Sequence, residues 1–342
     1  MINAIKNNKK YLISLITSII IALVIGAVLM LITGYNPING YGAMLKGTFG
    51  SFRVFGNMLT KMITLCLTAL AMAVAAKAGM FNVGGEGQLF LGGLAATIVG
   101  VYAGQAGIPP IIGVPLAFLA SIVAGGFYGW IPAILRTKLN VSEVITTIML
   151  NSIAIYFCSW CVSAGGPFIT DDKGVLGGSE AIPALYAFSR VIPKSNLSTA
   201  IIYSALIALF CWFLVQKTNI GLDMKVTGEN ERFGFFSGIK TKKLMVWSMI
   251  ASGAICGLVG MFEVYGYQTR FLSSISNEFY YDGMLVAMIM NYNPVGIIIM
   301  SIFFAIIDIG ASQMELSVGI SKELSDIIFA VIIFLMAARK DK

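Results

Sequence analysis

The sequence predicts an all-α polytopic membrane protein with about ten transmembrane helices. Of its 342 residues, 58% are apolar and only 11% are charged, whereas a soluble domain carries about 25% charged residues. A soluble protein of this composition could not cover its apolar surface with polar groups, but a lipid bilayer would solvate that surface. The apolar residues are also grouped into runs near the ~20 residues that one transmembrane helix requires.

Ten apolar segments are separated by shorter polar stretches, so residues 1–342 are expected to form a single transmembrane domain. The first run is too long for the core of a signal peptide and no A-x-A cleavage site follows it, so it is interpreted as a retained span. The third and eighth segments are short or interrupted by glycine. The ten segments are 11–33, 57–76, 86–103, 110–135, 143–163, 198–216, 244–266, 280–291, 294–311 and 323–338.

Lysine and arginine predict the orientation of these spans. The net charge is +7, and the basic residues lie singly or in small clusters between the apolar runs. Such a distribution indicates orientation in a membrane rather than nucleic-acid binding, because cytoplasmic loops carry an excess of Lys and Arg. Placing both termini in the cytoplasm puts most of the basic residues inside and requires an even number of spans.

Two connections are long enough to contact other molecules. Residues 164–197 are rich in Gly, Pro and Ser and are predicted to lie on the extracytoplasmic side. Residues 217–243 are polar and basic and are predicted to lie in the cytoplasm. Long loops on opposite faces suggest one partner on each side of the membrane.

The residue types needed for catalysis or metal binding are scarce. There is no histidine, which removes the commonest general base and metal ligand. Cys158 and Cys161 form a C-x-x-C pattern, but a redox or zinc role would need a thioredoxin-like context or a second ligand pair. We therefore predict no catalytic residue, no metal and no cofactor in this chain.

Small residues recur at four-residue spacing in two of the spans. Ser121, Gly125 and Gly129 form one such row, and Gly253 and Gly257 form another. Small residues at this spacing let helix backbones approach closely in lipid. The rows are expected either to pack helices within the chain or to form an interface between subunits.

The segment Phe81–Gln88, FNVGGEGQ, interrupts the apolar pattern before the third span. Three glycines in four positions are expected to prevent a regular helix, and Glu86 and Gln88 would be costly facing lipid. Irregular backbone at membrane depth is tolerated where it is buried in protein or lines a wet cavity. An ordinary cytoplasmic turn is the alternative. A phosphate-binding loop is disfavoured because no GK[ST] follows.

A second aromatic and polar segment, Phe279–Gly283, opens the eighth span. The fifth and tenth spans open with similar acidic-apolar runs at Glu143 and Glu323, which suggests an inverted repeat of spans 2–5 and 7–10. Transporters built this way place the solute path at broken helices between the repeats. The residues predicted to line the path are Asn82, Gly84, Gly85, Glu86, Gln88, Tyr280, Tyr281, Asp282 and Gly283.

The cytoplasmic loop contains exposed aromatic residues that a purely solvated loop would not need. Residues 229–236 are expected to form two turns of helix with charges and phenylalanines on their surface. Apolar groups surrounded by charge indicate a protein-docking surface, and an amphipathic helix lying on the membrane is the alternative.

Several of these segments resemble those of a known family. The cytoplasmic loop is similar to the coupling segment of permeases of bacterial ABC importers for branched-chain amino acids, ribose and nucleosides. Lys225 stands where Arg is usual, and phenylalanines stand where small residues are common. FNVGGEGQ resembles the FNIGGEGQ of the nucleoside and simple-sugar subgroup, and Ser142–Asn151 resembles its N-E-V-I-x-T-I-M-L-N. Further matches are Thr33–Pro37, Gly221, Gly228, Asn230, Gly238-Ile239, Asp282-Gly283 and Asn293-Pro294.

The resemblance implies a permease in the bacterial plasma membrane that forms the path for a small polar solute, a nucleoside or alternatively a simple sugar. It implies a separate ATP-binding subunit, an extracytoplasmic solute-binding protein and a second permease, which is often a different homologous chain. The residues it assigns to ATPase coupling are Gly228, Glu229, Asn230, Arg232, Phe233, Phe236 and Gly238.

Two other classes remain as alternatives. An ion-coupled secondary transporter could use intramembrane carboxylates as a proton or sodium relay. A membrane enzyme would need a convergent catalytic constellation, and none is visible in the sequence. The carboxylates available for a relay are Glu86, Glu263, Asp282, Asp308 and Asp326.

Overall fold

The computed structural model describes residues 2–168, 177–321 and 323–338, and these residues are mostly helical. Every one of the ten predicted apolar segments contains a helix. The helices are α1 (Ile2–Ile32), α2 (Pro37–Phe49), α3 (Phe52–Lys77), α4 (Gly85–Gln105), α5 (Pro110–Leu139), α6 (Glu143–Cys161), α7 (Ala200–Lys217), α8 (Asn219–Glu229), α9 (Glu231–Phe236), α10 (Thr241–Glu263), α11 (Phe279–Ile289), α12 (Pro294–Val318) and α13 (Glu323–Ala338). A short π-helix, Val264–Gln268, continues α10.

Within the described residues, seven helices are long and apolar enough to cross a membrane, or eight if a bent pair counts as one span. The bent pair consists of residues 16–32 of α1 and the whole of α2, and the chain direction bends by 119° between them. Helix α11 is too short to cross on its own. The chain is therefore an all-α, multi-pass membrane protein.

Helix α2 was not predicted from the sequence. It begins at Pro37 after an Asn36 cap, whose side chain accepts a hydrogen bond from the Ile38 amide at 2.9 Å. Glycines within the segment conceal its helical pattern, because glycine lowers helix propensity. Two of them serve packing instead, since Gly40 and Gly47 lie against side chains of other helices.

Contacts divide the chain into two units. The first unit contains residues 1–61 and 302–342. Within it, Gly26 of α1 lies against Ile328 of α13, and Gly310 of α12 lies against Met44 of α2. Lys61 forms an ion pair with Asp308 at 3.3 Å, and both side chains are largely buried.

The second unit contains residues 62–301, and α4, α5 and α10 pack against one another within it. A Cβ atom on Gly257 would overlap the Ser121 carbonyl of α5, and one on Gly92 of α4 would overlap Gly257. Gly125 and Gly253 face each other in the same way. The small residues of α5 and α10 therefore pack helices within the chain, the first of the two predicted alternatives.

The segment 177–199 is fixed to the chain that follows α10. The Ser179 amide donates to the Phe271 carbonyl at 2.9 Å, and the Ile182 amide donates to the Thr269 carbonyl at 2.8 Å. Gly178 and Leu272 form an isolated antiparallel bridge. Of the predicted loop 164–197, residues 164–168 and 177–197 are described, and residues 169–176 lie outside the described residues.

The predicted loop 217–243 contains more helix than expected. Two helices, α8 and α9, occupy most of it, and α10 begins at Thr241. The expected helical turns at 229–236 are present, but α8 ends at Glu229 and a new helix starts at Glu231. The side chain of Asn230 accepts a hydrogen bond from the Phe233 amide at 3.0 Å and so caps α9.

Candidate functional site

Helix α4 begins inside the helix bundle rather than at its end. The Gln88 amide lies against Gly129, ten residues before α5 ends at Leu139. At 1.5 Å per residue this distance is about 15 Å along the helix axis. Residues 78–84 are not helical, so the irregular backbone predicted for this segment is present and is buried in protein.

The prediction that the three glycines prevent a regular helix is wrong for two of them. Gly85 and Gly87 lie in the first turn of α4. A Cβ atom on Gly85 would overlap the ring of Tyr280, and Gly87 lies against Asn151 of α6. The glycines are therefore used for close contact with α6 and α11 rather than for breaking the helix.

Glu86 connects the N-terminal turns of α4 and α11. Its carboxylate accepts a hydrogen bond from the Tyr280 backbone amide at 3.0 Å, and only 3% of the residue is exposed. The first amides of a helix lack partners within that helix and carry its positive dipole end. A buried carboxylate at this position satisfies one of those amides in α11 and is stabilised by both helix N-termini.

Asn82 organises the turn that precedes α4. Its Nδ2 atom donates to the Gln88 side chain at 2.9 Å and to the Ser252 hydroxyl of α10 at 2.8 Å. Its Oδ1 atom accepts from the Gly84 amide at 3.0 Å. Since Asn82 and Gln88 are fully buried, these bonds replace the water that the side chains lose on folding.

Asn151 belongs to the same cluster, although it was not among the residues predicted to line the solute path. Its side chain donates to the Val83 carbonyl at 2.7 Å and to the Tyr281 hydroxyl at 3.0 Å, and it accepts from the Gly87 amide at 2.8 Å. An amide in an otherwise apolar helix of a membrane protein is a signal for a functional or packing role. That signal was present in α6 and could have identified it.

The other predicted path residues lie at the edge of this cluster. The Tyr280 hydroxyl donates to the Asn82 carbonyl. Gly283 packs against Thr68 of α3, while Asp282 is partly exposed in the first turn of α11. We call Asn82, Glu86, Gln88, Asn151 and Tyr280 the junction cluster. It is closed and internally hydrogen-bonded in this conformation.

The segment α8–α9 is opposite in character. Phe233, Phe235 and Phe236 are each more than 60% exposed. Phe235 and Phe236 line a cavity of about 910 Å³ formed by α9 and the start of α10. The charged lining residues are mostly basic, including Arg232 and Lys240. Exposed aromatic rings next to such a cavity are typical of a protein-docking surface.

The remaining predicted coupling residues shape this segment. Gly228 lies against the Lys77 carbonyl at the end of α3 and against Gly79, where a side chain could not fit. Gly238 has φ +86° and ends the turn after α9. Glu229 pairs with Lys225 at 4.0 Å, a highly exposed ion pair that contributes little stability.

The contact at Gly228 connects the α8–α9 segment with the junction cluster through a short stretch of chain. Gly79 lies only three residues before Asn82. A displacement of α8 would therefore act on the turn that leads directly into α4.

The described residues contain no group of three or more His, Cys, Asp or Glu side chains that could hold a metal ion. All five cysteines are free and buried.

Comparison with known families identifies the class of protein. The model of the family described as "Branched-chain amino acid transport system / permease component" matches residues 54–337. The chain belongs to this family. Since the family consists of permease components, ATP hydrolysis falls to a separate subunit. Residues 1–53, which form α1 and α2, precede the matched region of the permease.

Relatives of this permease include proteins of known solute. The nucleoside ABC transporter permease protein NupB of Lactococcus lactis is 35% identical over 97% of this chain and 93% of its own length. The guanosine ABC transporter permease protein NupP of Bacillus subtilis is 32% identical over 94% of this chain and 91% of its own length. The glucose ABC transporter permease protein TsgB13 of Haloferax volcanii is 28% identical over 94% of this chain and 86% of its own length. No solved structure matches this permease.

Proposed function

We propose that this chain forms the translocation path of an ATP-driven importer for nucleosides. The observation that carries the proposal is its similarity to NupB and NupP over nearly the whole of both chains. A simple sugar is the second candidate solute, supported by the lower identity to TsgB13. The ion-coupled alternative has less support, because these relatives are named as ABC transporter permeases.

Solute crosses the membrane, on this proposal, by alternating access around the junction cluster. The cluster joins α4, α6, α10 and α11 by hydrogen bonds to side chains and backbone. Opening a path next to it exchanges these bonds for bonds to water or solute. Broken helices with buried N-termini are the elements that line solute paths in many transporters.

Ten spans and an inverted repeat fit this proposal. The repeat would pair α3–α6 with α10–α13. Its second members, α4 and α11, both begin at the junction cluster, where Glu86 of one accepts a hydrogen bond from the first turn of the other. Two helices at equivalent positions of the repeat, whose N-termini meet inside the bundle, support the pairing.

The partners follow from the family and from the α8–α9 segment. An ATP-binding subunit would dock at Phe233, Phe235 and Phe236 in the cytoplasm. A solute-binding protein would deliver nucleoside to the extracytoplasmic face at residues 177–199. Both termini of this chain would lie in the cytoplasm of a bacterial cell. A second, homologous permease would complete the membrane core, and the additional helices α1 and α2 fit the longer member of such a pair.

Reconstitution tests this proposal directly. The chain would be purified with its partner permease, ATP-binding subunit and solute-binding protein and placed in liposomes. Radiolabelled guanosine should accumulate with ATP and fail to accumulate with a non-hydrolysable analogue, while glucose should not accumulate. ATP-dependent uptake of glucose but not guanosine would favour the sugar permease, and uptake without ATP would refute the importer.

A further inference from the structure

A second cavity lies at the other end of α4, away from the junction cluster. Its volume is about 200 Å³, and it is bounded by the last three turns of α4 and by residues 167–168 and 179–180. Its floor is formed by apolar α4 residues such as Leu94 and Ile98. Aromatic rings of Tyr102 and Phe168 lie on its walls. The residues that line this cavity are different from those of the junction cluster.

The α4 residues of the cavity follow helical spacing and form one stripe. Leu94, Ile98, Val101 and Gln105 are three or four residues apart, so they lie on one face of the helix. The partly exposed Leu91 continues this face by one turn toward Gly87. Residues 87–90 are buried, so in this conformation the stripe ends about one turn short of Gln88 of the junction cluster.

A polar pair fixes the rim of the cavity. The Gln105 side-chain amide donates a hydrogen bond to Oε2 of Glu180 at 3.0 Å. A carboxylate can accept several hydrogen bonds, so the Glu180 carboxylate can also accept from a ligand. A carboxylate held in one orientation by a neighbouring amide is suited to the O–H and N–H donors of a small polar solute.

The wall that carries Glu180 is held in place on both sides. The Ser179 hydroxyl accepts from the Phe271 amide at 3.0 Å and donates to the Glu180 carbonyl at 2.8 Å. Pro183 lies against Gly104 of α4, where a Cβ atom would overlap its ring. The backbone of residues 179–183 is therefore fixed relative to α4, which places the exposed Glu180 side chain at the rim of the cavity.

We infer that this cavity is an entry subsite that holds a nucleoside before it reaches the junction cluster. The aromatic rings of Tyr102 and Phe168 would contact the base, because bases bind well against aromatic side chains. Glu180, oriented by Gln105, would accept hydrogen bonds from the ribose hydroxyls. The combination of apolar walls with a few fixed polar groups is that of a small-molecule site. This inference rests on the proposed nucleoside transport.

Cysteine protection tests the subsite in the assembled importer without its solute-binding protein. Ile98→Cys would be introduced into a chain whose five native cysteines are replaced by alanine, and labelled with a small maleimide. Guanosine at millimolar concentration should slow labelling at least threefold, and glucose should not. The control Ser317→Cys, at an exposed position on α12, should react at the same rate with and without guanosine.

A second substitution assigns the hydroxyl acceptor. In the Ile98→Cys chain, Glu180→Gln should weaken protection by guanosine about tenfold in concentration, since hydrogen bonds to charged groups are stronger than neutral ones. Glu315→Gln, at an exposed site, should leave protection unchanged. Equal labelling with and without guanosine would overturn the subsite, and full protection in Glu180→Gln would overturn the role of the carboxylate.

Uptake by the same complex separates this inference from the proposed function. If the complete importer with its binding protein accumulates guanosine but Ile98→Cys is not protected, the subsite is wrong and nucleoside transport stands. If the importer accumulates no nucleoside, the proposed function is wrong. If Glu180→Gln loses both guanosine protection and guanosine uptake, while Glu315→Gln keeps them, the subsite and nucleoside transport are both supported.

Discussion

The junction cluster and the α8–α9 segment invert the usual distribution of polar and apolar groups in opposite ways. In the junction cluster, polar side chains such as Asn82 and Glu86 are buried and hydrogen-bonded within the chain. In α9, phenylalanine rings are exposed, with 85% of Phe236 accessible. The polar groups of the junction cluster have hydrogen-bond partners within the chain, whereas α9 presents apolar surface that a partner could cover. Removing hydrogen-bonding groups should therefore affect stability in the junction cluster, and removing rings should affect association at α9.

The largest effect is expected at Asn151 in the junction cluster. Asn151→Leu keeps the size of the side chain but leaves the Val83 carbonyl and the Gly87 amide without their bonds. Each buried group left unsatisfied costs about 1–3 kcal/mol. The melting temperature and the yield of folded protein should therefore fall markedly, and solute uptake should fall with them. Asn39→Leu, at an exposed position in α2, is the matched control. Wild-type stability of Asn151→Leu would show that the cluster does not stabilise the fold.

A smaller effect, confined to transport, is expected for Glu86→Gln. Glutamine retains an oxygen that can accept from the Tyr280 amide, but it removes the charge between two helix N-termini. Uptake should fall about tenfold while the melting temperature changes little. Glu323→Gln, exposed in α13, should transport normally. Unchanged uptake in Glu86→Gln would reduce this carboxylate to a structural group.

In the α8–α9 segment, Phe233→Ala should weaken binding of the ATP-binding subunit about tenfold, the loss expected for one anchor residue of an interface. Its melting temperature should not change, because the ring is largely exposed in the isolated chain. Phe210→Ala is a close control, since Phe210 of α7 and Phe233 are both 62% exposed. Equal retention of the ATP-binding subunit by both variants would contradict docking at α9.

The smallest perturbation is a pair of reporter cysteines that should leave transport intact. Leu185→Cys and Ser237→Cys would each be placed in a cysteine-free background and treated with an impermeant maleimide. Leu185 is 81% exposed, which makes it a better reporter than the buried, hydrogen-bonded Ser179. Leu185→Cys should react from outside intact cells and Ser237→Cys only after lysis. The reverse pattern would invert the proposed orientation.

The positions of the long apolar helices could be predicted from the sequence because apolar runs of spanning length are a strong signal, whereas α2 contains no such run. The small residues at Gly125 and Gly253 also predicted close helix packing, since only residues without large side chains permit it. Both features depend on local sequence. They required no knowledge of which helices are neighbours.

The junction cluster could be predicted only in part. The motifs at 81–88 and 279–283 indicated two irregular segments, but local sequence does not determine that Glu86 reaches the amide of Tyr280, 194 residues away. The role of Gly85 was misjudged for the same reason. Its helix propensity is poor, yet contact with the Tyr280 ring requires a residue without a side chain.

The glycines of α10 have a mechanical consequence. Gly257 contacts α5 on one side and α4 on the other, and Gly260 adds a second contact with the α4 backbone at Leu89. Backbones in such close contact cannot slide past one another without steric overlap, so α4, α5 and α10 must move as one rigid body. The movement of the transport cycle then has to be absorbed where this body ends. The π-helical turn Val264–Gln268 belongs to this body, because the Tyr265 hydroxyl donates to the Ala96 carbonyl of α4 at 3.0 Å. The loop from Thr269 to α11 would therefore act as its hinge.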